Sequence, residues 1–254
     1  EVASAEQAVF LLDTSLSEHP ERFALDVEIL KRVLEASPRL RRFAVVTFDA
    51  GARWLTRDWI PNDEAGRART LAQLEGVLLE GATDLGAALD ALATPPMEAR
   101  GALDVFLLTD GALSWGERDA DTLVRRFAAR SPWQARFFAY RTGLGAENLE
   151  LLRRLAASGG VFNCLSRASL DGCASAHQRT GFSVERARVV DAQGQDVGSE
   201  VLIAGGAATL AEGGELLVAG KLDRGGEGTL VLEGRRNGAP HEERHRPDDQ
   251  FLAR

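Results

Sequence analysis

The sequence predicts an α/β fold, a doubly wound and mostly parallel sheet flanked by helices, followed by a small antiparallel β-rich region. Over the first two thirds of the chain, short apolar runs alternate with amphipathic stretches, the pattern of βαβ units. Those runs are continuously apolar, as strands of a sheet buried on both faces must be. After about residue 178 the helical stripes stop, Gly becomes dense and short β-type runs take over. The expected division is therefore residues 1–177 and 178–254.

The first strand is expected over Ala8 to Leu12. Pro20 then breaks the chain, and Phe23, Val27, Leu30 and Leu34 recur at helical spacing until Ser37 and Pro38 close the helix. Further strands are expected at Arg42 to Phe48, Asp104 to Thr109, Ala135 to Tyr140 and Gly160 to Cys164. Leu71, Leu74, Val77 and Leu78 mark a second helix, Leu85 to Leu92 a third, Leu123 to Phe127 a fourth and Leu149 to Leu155 a fifth, each with a core-facing stripe. In the C-terminal part, β-type runs fall at Phe182 to Val190, Val201 to Ala204, Leu216 to Leu222 and Thr229 to Glu233. Asn237 and Gly238 both accept the positive φ of a type I′ turn, so a final strand, Pro240 to Arg244, should return beside Thr229 to Arg235. The charged tail from His245 is expected to fray.

Composition narrows the function classes. With 254 residues, 44% of them apolar and 27% charged, the chain buries a sizeable core and is neither disordered nor a membrane bundle. Thirty Lys and Arg against 38 Asp and Glu leave a net charge of −8, which argues against nucleic acid as a partner because phosphate binding rests on cationic side chains. The longest apolar runs fall far short of the roughly 20 residues that cross a bilayer, so no transmembrane segment is expected. The chain begins without Met and without a basic or apolar leader, and reads as a segment of a longer or processed protein. Cys164 and Cys173 match neither a CxxC nor a zinc framework; a local disulfide and two buried thiols are both open. His19, His177, His241 and His245 are scattered and read as surface or packing residues.

The chemistry gathers at three loops. The first strand runs into Asp13-Thr14-Ser15-Leu16-Ser17, which places one carboxylate and two hydroxyls at alternate positions off the carboxyl end of a buried strand, the edge where open α/β sheets bind ligands. Gly81-Ala82-Thr83-Asp84-Leu85-Gly86 puts a Thr hydroxyl in a Gly-flanked loop at a helix N-terminus. Val105 to Thr109 ends in Asp110, followed by Gly111, which favours a tight turn. Few carboxylates mixed with hydroxyls suit a hard divalent cation such as Mg²⁺, with Mn²⁺ or Ca²⁺ as alternatives, and disfavour zinc and copper. Two carboxylates leave room for an acidic group from a partner. Each loop also has a simpler reading: a turn and helix cap at Asp13, Ser15 and Ser17, an N-cap at Thr83 or Asp84, and a strand-ending turn at Asp110. Trp115, just past the third loop, either lines the same face or packs.

In this order, over roughly residues 6 to 175, these loops resemble the metal-ion-dependent adhesion site of the von Willebrand factor type A domain. The resemblance implies that Asp13, Ser15 and Ser17 form its D-x-S-x-S loop, that Thr83 is the lone Thr of its second loop and that Asp110 is the Asp of its third. It implies direct binding of the metal by Ser15 and Ser17, with Asp13, Thr83 and Asp110 acting directly or through water. It also implies a protein ligand presenting an Asp or Glu carboxylate. The segments Leu216 to Leu222 and Gly228 to Gly234, with Asn237-Gly238, are similar to the β segment that follows the A domain in inter-alpha-trypsin inhibitor heavy chains and related bacterial VIT-domain proteins, which implies a missing VIT domain as a further partner in the same chain.

The leading expectation is a cation-dependent binding module. Its rival is a scaffold domain in which the metal only steadies a loop. An enzyme is not expected: there is no G-x-S-x-G elbow, Walker A loop or HExxH, and Ser15 stands where a haloacid-dehalogenase-like phosphatase needs its second Asp. The cysteine pair and the VIT-like tail favour an exported protein.

Overall fold

A computed structural model describes residues 5–110, 112–142, 149–164, 166–178, 181–203, 208–210, 216, 218–222, 228–236 and 239–246. The chain divides into two compact units, Glu1–Arg179 and Thr180–Arg254.

In the first unit the order is β1 (Gln7–Asp13), α1 (His19–Ala36), β2 (Arg42–Phe48), β3 (Ala52–Trp54), β4 (Ile60–Pro61), α2 (Glu64–Leu74), α3 (Leu85–Ala93), β5 (Ala102–Thr109), α4 (Ala120–Arg130), β6 (Gln134–Arg141), α5 (Leu149–Leu155), β7 (Gly160–Asn163) and α6 (Leu170–Ala176). The sheet runs β3-β2-β1-β5-β6-β7, with β4 also on β2. The pairs β2–β1, β1–β5, β5–β6 and β6–β7 are parallel, while β3 and β4 are antiparallel to β2. The predicted mostly parallel, helix-flanked sheet is thus the observed one. Every residue of β1 is buried, as a central strand covered on both faces requires.

Side chains alternate across that sheet. Val9, Leu11, Val46, Val105 and Leu107 pack with Leu85, Leu89 and Leu92 of α3, Leu123 and Phe127 of α4, and Leu151 and Leu152 of α5. On the other face Phe10 and Phe106 stack at 4.9 Å and Phe106 and Phe138 at 5.2 Å. His177 meets Phe106 edge-on, its Nε2 bonded to the Ser37 hydroxyl at 3.0 Å and its Nδ1 to the Tyr140 hydroxyl at 3.2 Å. It is the packing histidine the sequence suggests, and burial pushes its pKa down to about 4. His177→Ala removes an aromatic partner and strands the Tyr140 hydroxyl, while Ser37 Oγ keeps the Gln178 Nε2 bond at 3.2 Å, and should cost about 3 kcal/mol in urea unfolding. A loss well under 1 kcal/mol would mean the site collapses without penalty.

Several expectations need correction. In α1 the buried face is Leu25, Asp26, Ile29, Leu30, Val33 and Leu34, whereas Phe23 and Val27 of the anticipated stripe are only half-buried, because the core lies on the side that Ile29 and Val33 point to. The second helix ends at Leu74; Gly76 follows, and Leu78 is 76% exposed instead of core-facing. The short strands β3 and β4 and the helix α6 were not expected; three- and two-residue strands carry no periodicity to detect. Cys164 and Cys173 are both buried thiols, and the Cys173 Sγ donates to the Asn163 carbonyl at 3.3 Å.

The second unit holds β8 (Phe182–Val190), β9 (Gly198–Ile203), β10 (Ala208–Leu210), β11 (Val218–Leu222), β12 (Thr229–Arg236) and β13 (Ala239–His245). Its sheets are β10-β8-β12-β13 and β11-β9, all antiparallel. Arg236 pairs with Ala239, so β12 and β13 form the anticipated hairpin. Asn237 and Gly238, like Ala204, Leu217 and the tail from residue 247, lie outside the described residues. Phe182, Val184 and Leu232 form its small core.

Candidate metal centre

The sheet order sets the place. From β1 the chain crosses through α1 to β2 on one side, while β5 flanks β1 on the other, so the connections leaving the carboxyl ends of β1 and β5 diverge and open a crevice. Asp13 is the last residue of β1 and Asp110 follows the last residue of β5. The segment before α3 lies against them: Glu80 N–H donates to the Thr14 carbonyl at 2.9 Å, and Leu16 N–H to the Gly81 carbonyl at 3.3 Å.

Asp13, Ser15, Ser17 and Thr83 form one hydrogen-bonded network. The Ser15 N–H donates to Asp13 Oδ1 at 3.0 Å, the Ser15 and Ser17 hydroxyls share a bond of 3.0 Å, and the Thr83 hydroxyl donates to the Ser15 hydroxyl at 2.8 Å. Asp13, Ser15, Thr83 and Asp110 are buried and Ser17 is half-buried. Ser15 precedes a short 3₁₀ turn, Leu16–Glu18, and Glu18 stands at the N-cap of α1, yet neither side chain caps. The seryl hydroxyls are therefore not used in ending a helix. Capping falls instead to Asp84, whose Oδ1 accepts from Ala87 N–H at 3.1 Å at the start of α3. Asp110 combines both readings, since its Oδ1 accepts the turn-forming Ala112 N–H at 2.9 Å.

Three residues at this place were not anticipated. Glu18 is fully buried and its Oε1 accepts from Asp110 N–H at 2.6 Å, while its Oε2 has no partner. Carboxylate oxygens of Asp13, Glu18 and Asp110 all lie within 4.8 Å of one another. The Thr109 hydroxyl donates to Asp13 Oδ2 at 2.7 Å and fixes that carboxylate. Asp26, on the buried face of α1, faces Glu18 and Thr142. Glu18 was hidden because an acid at a helix start reads as a favourable dipole partner. Asp26 had a usable signal, a charge at the 26, 29, 33 spacing that Ile29 and Val33 carry into the core.

Crowding of acids in a dry site dominates the electrostatics. Burial raises the pKa of Asp13 to about 6 against the hydrogen bonds from Thr109 and Ser15. Glu18 is pushed up to about 8, by burial first and then by the charges of Asp13 and Asp110. Asp26 is held well above the carboxylate range by burial and by Glu18. Arg22 offsets part of this, 3.6 Å from Asp110 Oδ2. Buried like charges of this density call for protons or a cation, and an all-oxygen set of carboxylates and hydroxyls matches a hard divalent ion. The residues present fit such an ion.

The third loop is pinned to the second. Ser114 and Trp115 N–H groups donate to the Thr83 carbonyl at 3.3 and 3.2 Å, and Gly116, at φ +73°, passes so close to Asp84 that a Cβ would stand 2.4 Å from its Oδ1. Only glycine fits there. The Trp115 side chain is 61% exposed at this edge and does not pack into the core.

Comparison with known proteins agrees with the fold. The family model of the von Willebrand factor type A domain matches residues 8–112. Among solved structures, a von Willebrand factor type A protein from Catenulispora acidiphila superposes with a TM-score of 0.56 at 17% identity, covering 96% of this chain and 66% of its own. An aerotolerance-related membrane protein from Bacteroides fragilis gives 0.52 at 16% identity over 68% of this chain and 96% of its own. The SpRpn10 VWA domain gives 0.52 at 12% identity over 67% and 94%. At such identities the likeness is one of fold. This chain spans 66% of the length of the Catenulispora protein. No curated protein sequence matches it.

Proposed function

We propose that this chain, whose residues 8–112 match the von Willebrand factor type A domain, a family of protein-interaction modules, is a divalent-cation-dependent protein-binding module. The observation that carries the reading is the convergence of Asp13, Ser15, Ser17, Thr83 and Asp110, from three separate loops, on one switch-point crevice. Ser15 and Ser17 would hold the ion directly, and Asp13, Thr83 and Asp110 directly or through water. Thr109 holds Asp13 in place, and Arg22, bonded to the Ser17 carbonyl at 3.2 Å, steadies the first loop. When bound, a cation such as Mg²⁺ supplies a concentrated positive charge able to take a partner's Asp or Glu carboxylate on a protein that is acidic overall.

A second reading has its own support. Glu18 is a third carboxylate already inside the site, and an ion that receives it needs a partner's carboxylate less. That favours a structural metal in a scaffold domain.

Thermal melting with Mg²⁺ or Mn²⁺ against chelator tests the cation. At about 100 times Kd the wild-type chain should gain about 2.7 kcal/mol, and Asp13→Ala should gain far less. Equal melting of the wild type with metal and with chelator overturns the proposal. Peptides carrying a single Asp, with Asn counterparts as controls, then separate the readings: metal-dependent retention of the Asp peptides means capture, and stabilisation without retention means scaffold.

A further inference from the structure

Inward of the five-residue set lies a second group of oxygens with no use. Glu18 Oε2, both carboxylate oxygens of Asp26 and the Thr142 hydroxyl are buried, and none of them is met by a well-aligned hydrogen-bond partner. Asp26 is 0% exposed and Thr142, the residue after the end of β6, is 5% exposed. Asp26 lies within reach of both the Glu18 and the Thr142 side chains, and two carboxylates so placed need a shared proton or an ion between them. A buried oxygen without a partner costs on the order of 1–3 kcal/mol, more when charged, so four of them together is a large penalty unless a proton or a cation is shared among them.

The charge count points the same way. Asp13, Glu18, Asp26 and Asp110 bring four carboxylates, and Arg22 is the cation ion-paired among them. One divalent ion at the outer loops, with Arg22, answers three negative charges and leaves Asp26, the most deeply buried, unanswered. Glu18 is built to join the two places. Its Oε1 sits at the outer set on the Asp110 backbone, and its Oε2 is available to the inner one.

We propose that Glu18, Asp26 and Thr142 form a second, inner site for a hard divalent cation, with Glu18 bridging it to the outer ion. Carboxylates that bridge paired divalent ions about 4 Å apart are ordinary two-metal chemistry. The donors, two carboxylates and a hydroxyl, contain no nitrogen or sulfur, which excludes a soft metal. The inference rests on the outer site proposed above, and it assigns Asp26 a role that the von Willebrand-type loops do not include.

Mn²⁺ is the probe, titrated into the chelator-treated chain by calorimetry and read in parallel by electron paramagnetic resonance. The wild type should bind two ions per chain and show the broadened spectrum of a spin-coupled pair. Asp26→Asn, which keeps the shape of the side chain, should bind one and lose the coupling while retaining the outer ion. Asp13→Ala should impair the outer ion. One ion in the wild type, lost in Asp13→Ala and unaffected in Asp26→Asn, overturns the inner site and leaves the proposed function standing; that pattern means Asp26 carries a proton instead. No binding by the wild type overturns both. Should Asp26→Asn fold poorly, the coupled spectrum of the wild-type chain decides alone.

Discussion

Replacing Glu18 by Gln should make the metal-free protein more stable and the metal-loaded protein weaker in its hold on the ion. Without metal, folding at neutral pH places a carboxyl with a pKa of about 8 where the unfolded chain has one near 4.5, so the group must take up a proton. That uptake costs about 3 kcal/mol at pH 7, and Glu18→Gln avoids it. The introduced amide is nearly isosteric, its oxygen can keep the Asp110 N–H, and its NH₂ becomes a donor towards Asp26. Chemical unfolding in chelator should therefore show a gain, while the Kd for Mg²⁺ rises about tenfold or more through loss of an anionic ligand. A stability loss in chelator would show that Glu18 serves packing and not the cation.

The second large effect is on pH. A carboxyl raised in the folded state stabilises fully below its unfolded pKa and loses that contribution as pH climbs through the folded value. Asp13, Glu18 and Asp26 all act in this sense. His177 acts in the other: its folded pKa is depressed to about 4, so its contribution is present above 6.5 and lost as pH falls. Below about pH 6.5 the two trends oppose each other. Between about pH 6.5 and pH 8 the imidazole is silent and the carboxyls act alone, so metal-free stability should fall across that window. Saturating Mg²⁺ replaces the protons and should flatten the fall, with proton release on binding visible as buffer-dependent calorimetric heat. A chelated protein whose melting temperature is constant or rises over that window would mean that these acids are not buried together in solution.

How much of this was legible in the sequence depends on the length of the signal. Four of the five parallel strands were readable because each holds a run of four or more apolar residues, and Arg42–Phe48 is placed residue for residue; β7, with only Val161 and Phe162 in such a run, was marked by its place after the fifth helix. The loop residues Asp13, Ser15, Ser17, Thr83 and Asp110 were readable because each leaves or enters an element whose periodicity is strong. Glu18 was not, and Asp26 was passed over because the expected stripe, of which Leu30 and Leu34 are buried, omitted Leu25, Ile29 and Val33 beside it. Leu30 and Leu34 are buried as expected, and whether Leu25-Ile29-Val33 or Phe23-Val27 joins them is decided by tertiary packing, which a single helix cannot encode. Trp115 was undecidable for a related reason: its exposure depends on the backbone tie of its loop to Thr83, a contact between residues 32 positions apart.

The central position of β1 bears on how the molecule is made. Within this sheet β1 is the first strand to leave the ribosome, yet one of its two flanking strands is β5, and the bond from Thr109 to Asp13 spans 96 residues. At about 5–20 residues per second, a seven-residue strand destined for complete burial waits some 5–20 seconds with one edge open. Throughout that wait Asp110 has not been synthesised, so the cation site does not yet exist and no ion can guide the early steps. A cation bound as proposed would enter only after the middle of the sheet has closed, and its whole binding energy would go to the finished fold. Nascent chains cut short before β5 should consequently need chaperones whether or not divalent ions are present.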